Sequence, residues 1–222
     1  MTKIRVSKNN NKLGNIPSFS LPTISSCPAA TQECKKACYA VKISRRFPAA
    51  AKAYEINLNA IDDKNFVITL VGEINYLVTK KKNAPTTFRW HVSGDINDIK
   101  YLNNMRQVMT KFPEVTFYAY TRNWSLPNWG PHLDRIKNLP NFTLFASVDD
   151  EHINNGTLPG DEWRVAYFGD KTQQEIAILT KKKTITCPNQ ANKTKTILCD
   201  TCQYCFNPKL MNTTQSVYFI KH

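Results

Sequence analysis

At 222 residues, 41% of them hydrophobic and 11% aromatic, the chain can bury one sizeable core and is too apolar to be a disordered segment. Its net charge of +13 gathers at the two ends: residues 1–60 carry ten Lys and Arg against two acids, and residues 180–222 carry seven against one. The longest apolar stretch, Phe66 to Val78, is broken by Gly72, Glu73 and Asn75, which excludes a transmembrane helix and a membrane partner.

Met1 to Asn11 is basic and polar with no apolar run, so no secretory leader is expected. Residues 1–26, rich in Asn, Ser and Pro, read as an irregular arm, with only Ile16 to Leu21 to offer as a first strand. Cys27, Cys34 and Cys38 follow. Pro48 to Ile61 is rich in helix formers with proline at a plausible first position. Residues 64–82 read as a second helix, with Phe66, Leu70, Ile74, Leu77 and Val78 at helical spacing and lysines 80–82 in its last turn.

From there strands alternate with short helices. Phe88 to Val92 reads as a strand ending in Ser93-Gly94-Asp95, and Ile99 to Phe112 as an amphipathic helix closed by Pro113. Val115 to Tyr120 is the next strand, ending in Thr121-Arg122-Asn123, followed by a short helix over His132 to Asn138. Phe142 to Ala146 runs into Ser147-Val148-Asp149, and Trp163 to Phe168 ends in Gly169-Asp170. This alternation predicts an α/β fold with a parallel sheet, a partial (β/α) barrel, in one domain over 1–222. Its parts are the arm (1–26), a cysteine loop and βα core (27–180), and a cysteine-rich segment (181–222).

Each of those strands ends in a polar turn carrying Asp or Asn. Such residues often cap the following helix. Four in a row point instead to one crevice at the carboxyl ends of the strands, where parallel sheets carry their chemistry. Ser93, Gly94, Asp95, Arg122 and Asp149 are the candidate cofactor-binding residues.

Seven cysteines without a leader argue against a disulfide framework and for metal or cluster ligation in a reducing cytoplasm. Cys27, Cys34 and Cys38, at spacings of six and three, do not suit a zinc knuckle, which supplies two close pairs. Three thiolates on one loop leave one corner of a [4Fe-4S] cluster open for a ligand; the alternative is a fourth cysteine from the far end closing a structural site. Cys187 with Cys199-x2-Cys202-x2-Cys205 is a set of four, which suits a second, closed [4Fe-4S] cluster or a zinc ion. The charge has three readings: a nucleic-acid face at the basic ends, cations offsetting thiolate clusters and an anionic cofactor, or a solvated lysine surface. His91, mid-strand and alternating with apolar neighbours, reads as a core or site-facing residue rather than a metal ligand. Trp124 and Trp129 flank a loop beside Arg122 that reads as ordinary packing, with base or adenine stacking as the alternative. No phosphate loop or nucleophile elbow is present.

The run Asn11-Lys-Leu-Gly-Asn-Ile-Pro-Ser-Phe-Ser-Leu-Pro22, with Cys27-Pro28, Cys34, Cys38-Tyr39-Ala40, His91-Val-Ser-Gly-Asp95, Phe117-Tyr-Ala-Tyr-Thr-Arg122, Ser147-Val-Asp149, Cys187-Pro188 and the closing triplet, resembles the phage gene product 88 family over nearly the whole chain. More distantly, Cys-x6-Cys-x3-Cys-Tyr-Ala is similar to phage proteins described as radical-SAM-like. That resemblance implies a barrel with a three-cysteine [4Fe-4S] loop after the first strand and S-adenosylmethionine as cofactor. It places Ser93-Gly94-Asp95 where such enzymes contact the cofactor's amino group. The common spacing in that family is Cys-x3-Cys-x2-Cys; here Val41 stands at the third place and Cys27 supplies the remaining thiol. Two function classes therefore stand side by side: an iron–sulfur enzyme of radical-SAM-like architecture, and a non-catalytic metal-stabilised module that binds nucleic acid or a host partner.

Overall fold

The central strands are largely buried on both faces, as in a parallel sheet covered on both sides, and the first two strands lie inside the N-terminal arm. The computed structural model describes residues 2–8, 10–79, 85–191, 197–207 and 215–221. In the arm, β1 (Val6–Ser7) pairs antiparallel with β2 (Ser18–Phe19), and β2 pairs parallel with β3 (Thr87–Trp90). The arm is thus not wholly irregular. Buried Asn57 ties it down: its Oδ1 accepts from Arg5 N at 2.7 Å, and its Nδ2 donates to Arg5 O at 2.9 Å and Ser20 O at 2.8 Å.

After the arm come α1 (Gln32–Ala37), α2 (Tyr39–Arg46), α3 (Pro48–Ala60) and α4 (Phe66–Thr79). The lysines expected in the last turn of α4 lie outside the described residues. β3 stops at Trp90 because His91 turns into the left-handed region (φ 57) and Gly94 follows it there (φ 79). Then α5 (Ile99–Thr110), capped by Asp98 accepting from Tyr101 N at 2.8 Å, leads to β4 (Thr116–Thr121). The chain continues through α6 (Gly130–Lys137), β5 (Phe142–Val148), α7 (Asp150–Asn154), β6 (Arg164–Gly169) and α8 (Gln173–Thr180). It closes with β7 (Lys183–Thr186), the short α9 (Pro188–Ala191) and α10 (Cys199–Cys202), and β8 (Gln215–Ile220).

All eight strands form one sheet in the order β1-β2-β3-β4-β5-β6-β8-β7, parallel except for β1. From β1 to β6 the spatial order follows the chain order, as each βα unit adds its strand on the same side of the last. The final strand breaks the chain order: β8 is inserted between β6 and β7, and β7 is the edge. An exposed lysine, Lys183, starts β7, a usual guard against edge-to-edge pairing.

The two faces of the sheet are covered differently. Phe19, Phe88, Trp90, Phe117, Ala119, Leu144 and Ala146 pack on one face with Leu70, Leu102, Met105, Leu133 and Ile136 from the helices. On the other face Tyr118, Phe145, Ala166 and Val217 meet Leu13 and Ile16 of the arm, and Cys187 and Phe206 of the tail. Among the described residues no helix is long and apolar enough to cross a membrane.

Candidate metal and cofactor site

The first cysteine group lies between β2 and α3, on the loop that leaves the first parallel strand. Cys27 is in a turn, Cys34 is on α1, and Cys38 joins α1 to α2. Thr31 caps α1 by accepting from Cys34 N at 3.0 Å. Glu151 of α7 adds a second cap, its Oε2 accepting from Gln32 N at 2.8 Å and Glu33 N at 3.2 Å. Cys38 Sγ lies 3.0 Å from Thr23 Oγ1.

The polar strand ends converge on this loop. Asp95 N donates to Ser26 O at 3.3 Å, and Gly94 packs so tightly that a Cβ there would lie 2.5 Å from Ser26 Oγ and 2.9 Å from Leu21 O. The Asp95 carboxylate accepts from Arg122 N at 2.9 Å and Ile96 N at 2.7 Å. Arg122 Nε reaches Asp149 Oδ2 at 3.3 Å, and Thr31 Oγ1 donates to the same oxygen at 2.5 Å. The structure therefore brings Ser93, Gly94, Asp95, Arg122 and Asp149 together beside Cys27 and Cys34.

The two aspartates differ in role. Asp98, not Asp95, caps α5, so Asp95 is not a helix cap. Asp149 does cap α7, accepting from His152 N at 3.3 Å, while His152 Nδ1 lies 2.7 Å from its Oδ1. Burial works against the Asp149 charge, but the bonds from His152 and Thr31 and the Arg122 guanidinium outweigh it and hold the carboxyl well below the usual range. Burial raises Asp95, against the two backbone donors that favour its charge.

The thiols feel both neighbours. Burial, then the Asp95 carboxylate, pushes Cys27 up to about 12, and Cys34 and Cys38 add to the rise. Burial also raises Cys34, with Arg122 pulling the other way. A buried carboxylate beside three thiols is a site of negative potential once the thiols ionise, and it calls for a cation.

The second cysteine group is built against the arm on the open face of the sheet. Cys199 N donates to Lys12 O at 2.9 Å and Asp200 N to Leu13 O at 3.2 Å, while Asp200 Oδ2 accepts from Asn15 N at 2.9 Å. Cys187 N donates to Tyr218 O at 2.8 Å, just past the carboxyl end of β7. Cys187, Cys199, Cys202 and Cys205 line one cavity with Tyr118 and Tyr120. Burial pushes Cys205 up to about 12. Arg89 sits over the Tyr118 and Tyr120 rings, 5.7 and 5.1 Å from their centroids, and acts on Cys199; Arg164 acts on Cys205. Sequence reading passed over both arginines, although alternation on β3 and β6 sets them on the face opposite the helix core.

Among the described residues no three His, Cys, Asp or Glu side chains converge closely enough to hold one metal ion. Tetrahedral zinc needs its sulfurs about 2.3 Å from a single centre.

His91 is buried, with Nε2 2.9 Å from Tyr101 Oη, and serves the core as expected. Trp124 donates Nε1 to Ser147 O at 2.9 Å, lies against His152 and packs half-buried against the core, in line with an ordinary packed loop.

A family model described as "Gene product 88" matches residues 2–208. The chain is similar to the "Gene 88 protein" of Mycobacterium phage D29, 28% identical over 230 residues that cover 96% of this chain and 93% of that one. It is also similar to the "Gene 88 protein" of Mycobacterium phage L5, 31% identical over 159 residues covering 68% and 65%. No solved structure matches.

Proposed function

The chain belongs to the Gene product 88 family of phage proteins, and we propose that it is an iron–sulfur protein of radical-SAM-like architecture, a partial (β/α) barrel acting in the host cytoplasm. Cys27, Cys34 and Cys38 would hold a [4Fe-4S] cluster with one iron left open. Cys187, Cys199, Cys202 and Cys205 would hold a second, closed cluster, with zinc as the alternative there. The observation that carries the reading is the meeting of three thiols on one loop with Asp95, Arg122 and Asp149 from the ends of successive parallel strands. Strands added in chain order, with the cysteine loop after the first parallel one, agree with it.

When bound, the open cluster supplies electron transfer to a ligand docked on its free iron. The chain's own residues do the rest. Asp95 offers a buried carboxylate to a cationic group such as the amino group of S-adenosylmethionine. Ser93, whose buried Oγ has no partner among the described residues, offers a further polar contact. Arg122 is fixed by Asp149 and presents its charge to Cys34, so it lowers the cost of ionising that thiol.

Anaerobic purification followed by reduction and addition of S-adenosylmethionine tests the proposal. A paramagnetic signal that changes on addition in wild type, and is lost in Cys34→Ala, is the expected result. A colourless, zinc-loaded protein with no such signal would turn the reading to the non-catalytic module.

A further inference from the structure

The helix that leaves the first cysteine loop carries a surface that neither the sheet nor the cysteine site uses. Along α2 and its cap, Tyr39, Ile43 and Phe47 recur every fourth residue, so they form one row on the helix. All three are exposed, at 53%, 36% and 50%. Lys42 and Arg46, also four apart, form the neighbouring row, and the Arg46 guanidinium lies 5.6 Å from the Phe47 ring centre. From Thr31 to Lys52 there are six Lys and Arg and one acid, Glu33. The Tyr39 hydroxyl donates to Val92 O, so the ring is pinned at its tip while its face stays open. A ring fixed in advance loses little freedom when something stacks on it.

We propose that this face of α2 binds single-stranded nucleic acid, with bases stacked on Tyr39 and Phe47 and phosphates held by Lys42 and Arg46. Open aromatic faces interleaved with cations are the pattern of single-strand binding, where every base has a face to stack. A duplex keeps its bases stacked on one another and would leave these rings unused. An anionic membrane surface calls for a longer helix with a broader apolar face than three side chains on eight residues provide. The two rings lie about 12 Å apart along the axis, so a strand meets the helix at two separated bases. Tyr39 directly follows Cys38, and Val92 directly precedes Ser93, so a strand bound here crosses the mouth of the cysteine site. The proposal goes beyond the metal reading and does not require iron.

Fluorescence anisotropy with a labelled oligothymidine, on full-length protein whose iron is measured in the same sample, tests it. Binding should weaken with salt, and the double variant Lys42→Gln/Arg46→Gln should flatten the log–log salt slope by about 1.4. Phe47→Ala should weaken binding about five- to hundred-fold with the slope unchanged. These side chains are exposed, so the variants should melt with wild type. Absence of binding in wild type, wild-type affinity in both variants, or duplex binding that is tighter and indifferent to Phe47→Ala would overturn it. So would binding confined to phosphatidylserine vesicles. An iron-free sample that binds as described supports this surface while counting against the cluster; a loaded sample that does not bind overturns the surface alone.

Discussion

Gly94 sits at φ 79 with Ser26 and Leu21 where a side chain would go, so its lack of a Cβ is what lets the turn after β3 dock under the cysteine loop. Gly94→Ala should cost about 3 kcal/mol, combining a left-handed backbone with overpacking against a main-chain oxygen. It should also empty the first metal site before the second. Thermal melts with iron counts on the variant check both effects, and wild-type values would show that the turn has room to spare. His91, three residues earlier, gives a pH test. Burial, helped by Arg89, pushes it down to about 3, while an unfolded histidine titrates near roughly 6.5. Below that value the unfolded chain takes up a proton that the folded chain refuses. Its stabilisation is therefore complete above about pH 6.5 and falls by about 1.4 kcal/mol per unit as the pH drops through the window. Urea midpoints should fall between pH 7 and pH 5 in wild type, and His91→Gln should flatten that fall. Equal pH slopes would mean that other groups set the acid sensitivity. At this scale the sequence was only half legible. Asp95 and Asp149 look alike as residues ending strands, yet one is free of any cap and the other caps α7. Only the position of Asp98, three residues beyond Asp95, distinguishes them, and it is visible in the sequence as the start of the α5 pattern.

At the scale of elements, α1 is a six-residue helix with no buried side chain, so its own packing cannot hold it. What holds it is the pair of caps, Thr31 from its own chain and Glu151 from α7. Glu151→Ala should cost about 1 kcal/mol and speed tryptic cleavage at Lys35 and Lys36. An unchanged digestion pattern would show that this cap does not order the loop. The long amphipathic helices α4 and α5, and the strands β4 to β6, could be read from periodicity within a few residues because their apolar faces are continuous. The misses have a common cause. β2 is two residues of a Pro- and Ser-rich arm, fixed by Asn57 and by pairing with β3 rather than by its own pattern. Likewise α2 shows an exposed apolar row, so it carries no core-facing signal. β7 is a polar edge whose partner is supplied from thirty residues later.

For the whole molecule, the sheet joins residue 6 to residue 220, and the ends of the chain meet on its open face. The arm packs there through Leu13 and Ile16, and the tail through Phe206 and the four cysteines. β8 is paired on both sides, with β6 and β7, and on the proposed reading metal held by the four thiols adds the fastening that the polar tail lacks. Cys202→Ala should therefore lower the melting temperature and expose residues 181–222 to protease, while the first site keeps its metal. Unchanged melting and proteolysis would show that these cysteines do not build the fold. The strand order to β6 is the sequential one that a partial (β/α) barrel implies. The place of β8 inside β7 was not legible, because β7 is four residues with a polar pattern that does not mark it as a strand. The claim on which the rest depends is that three cysteines at the strand ends hold one cluster and four cysteines hold another. Iron and acid-labile sulfide per chain, measured on anaerobically purified wild type and Cys34→Ala, test it most directly. The account predicts about eight of each in wild type and about four of each in the variant, four per cluster. Zinc without sulfide, or equal iron in the two proteins, would contradict it.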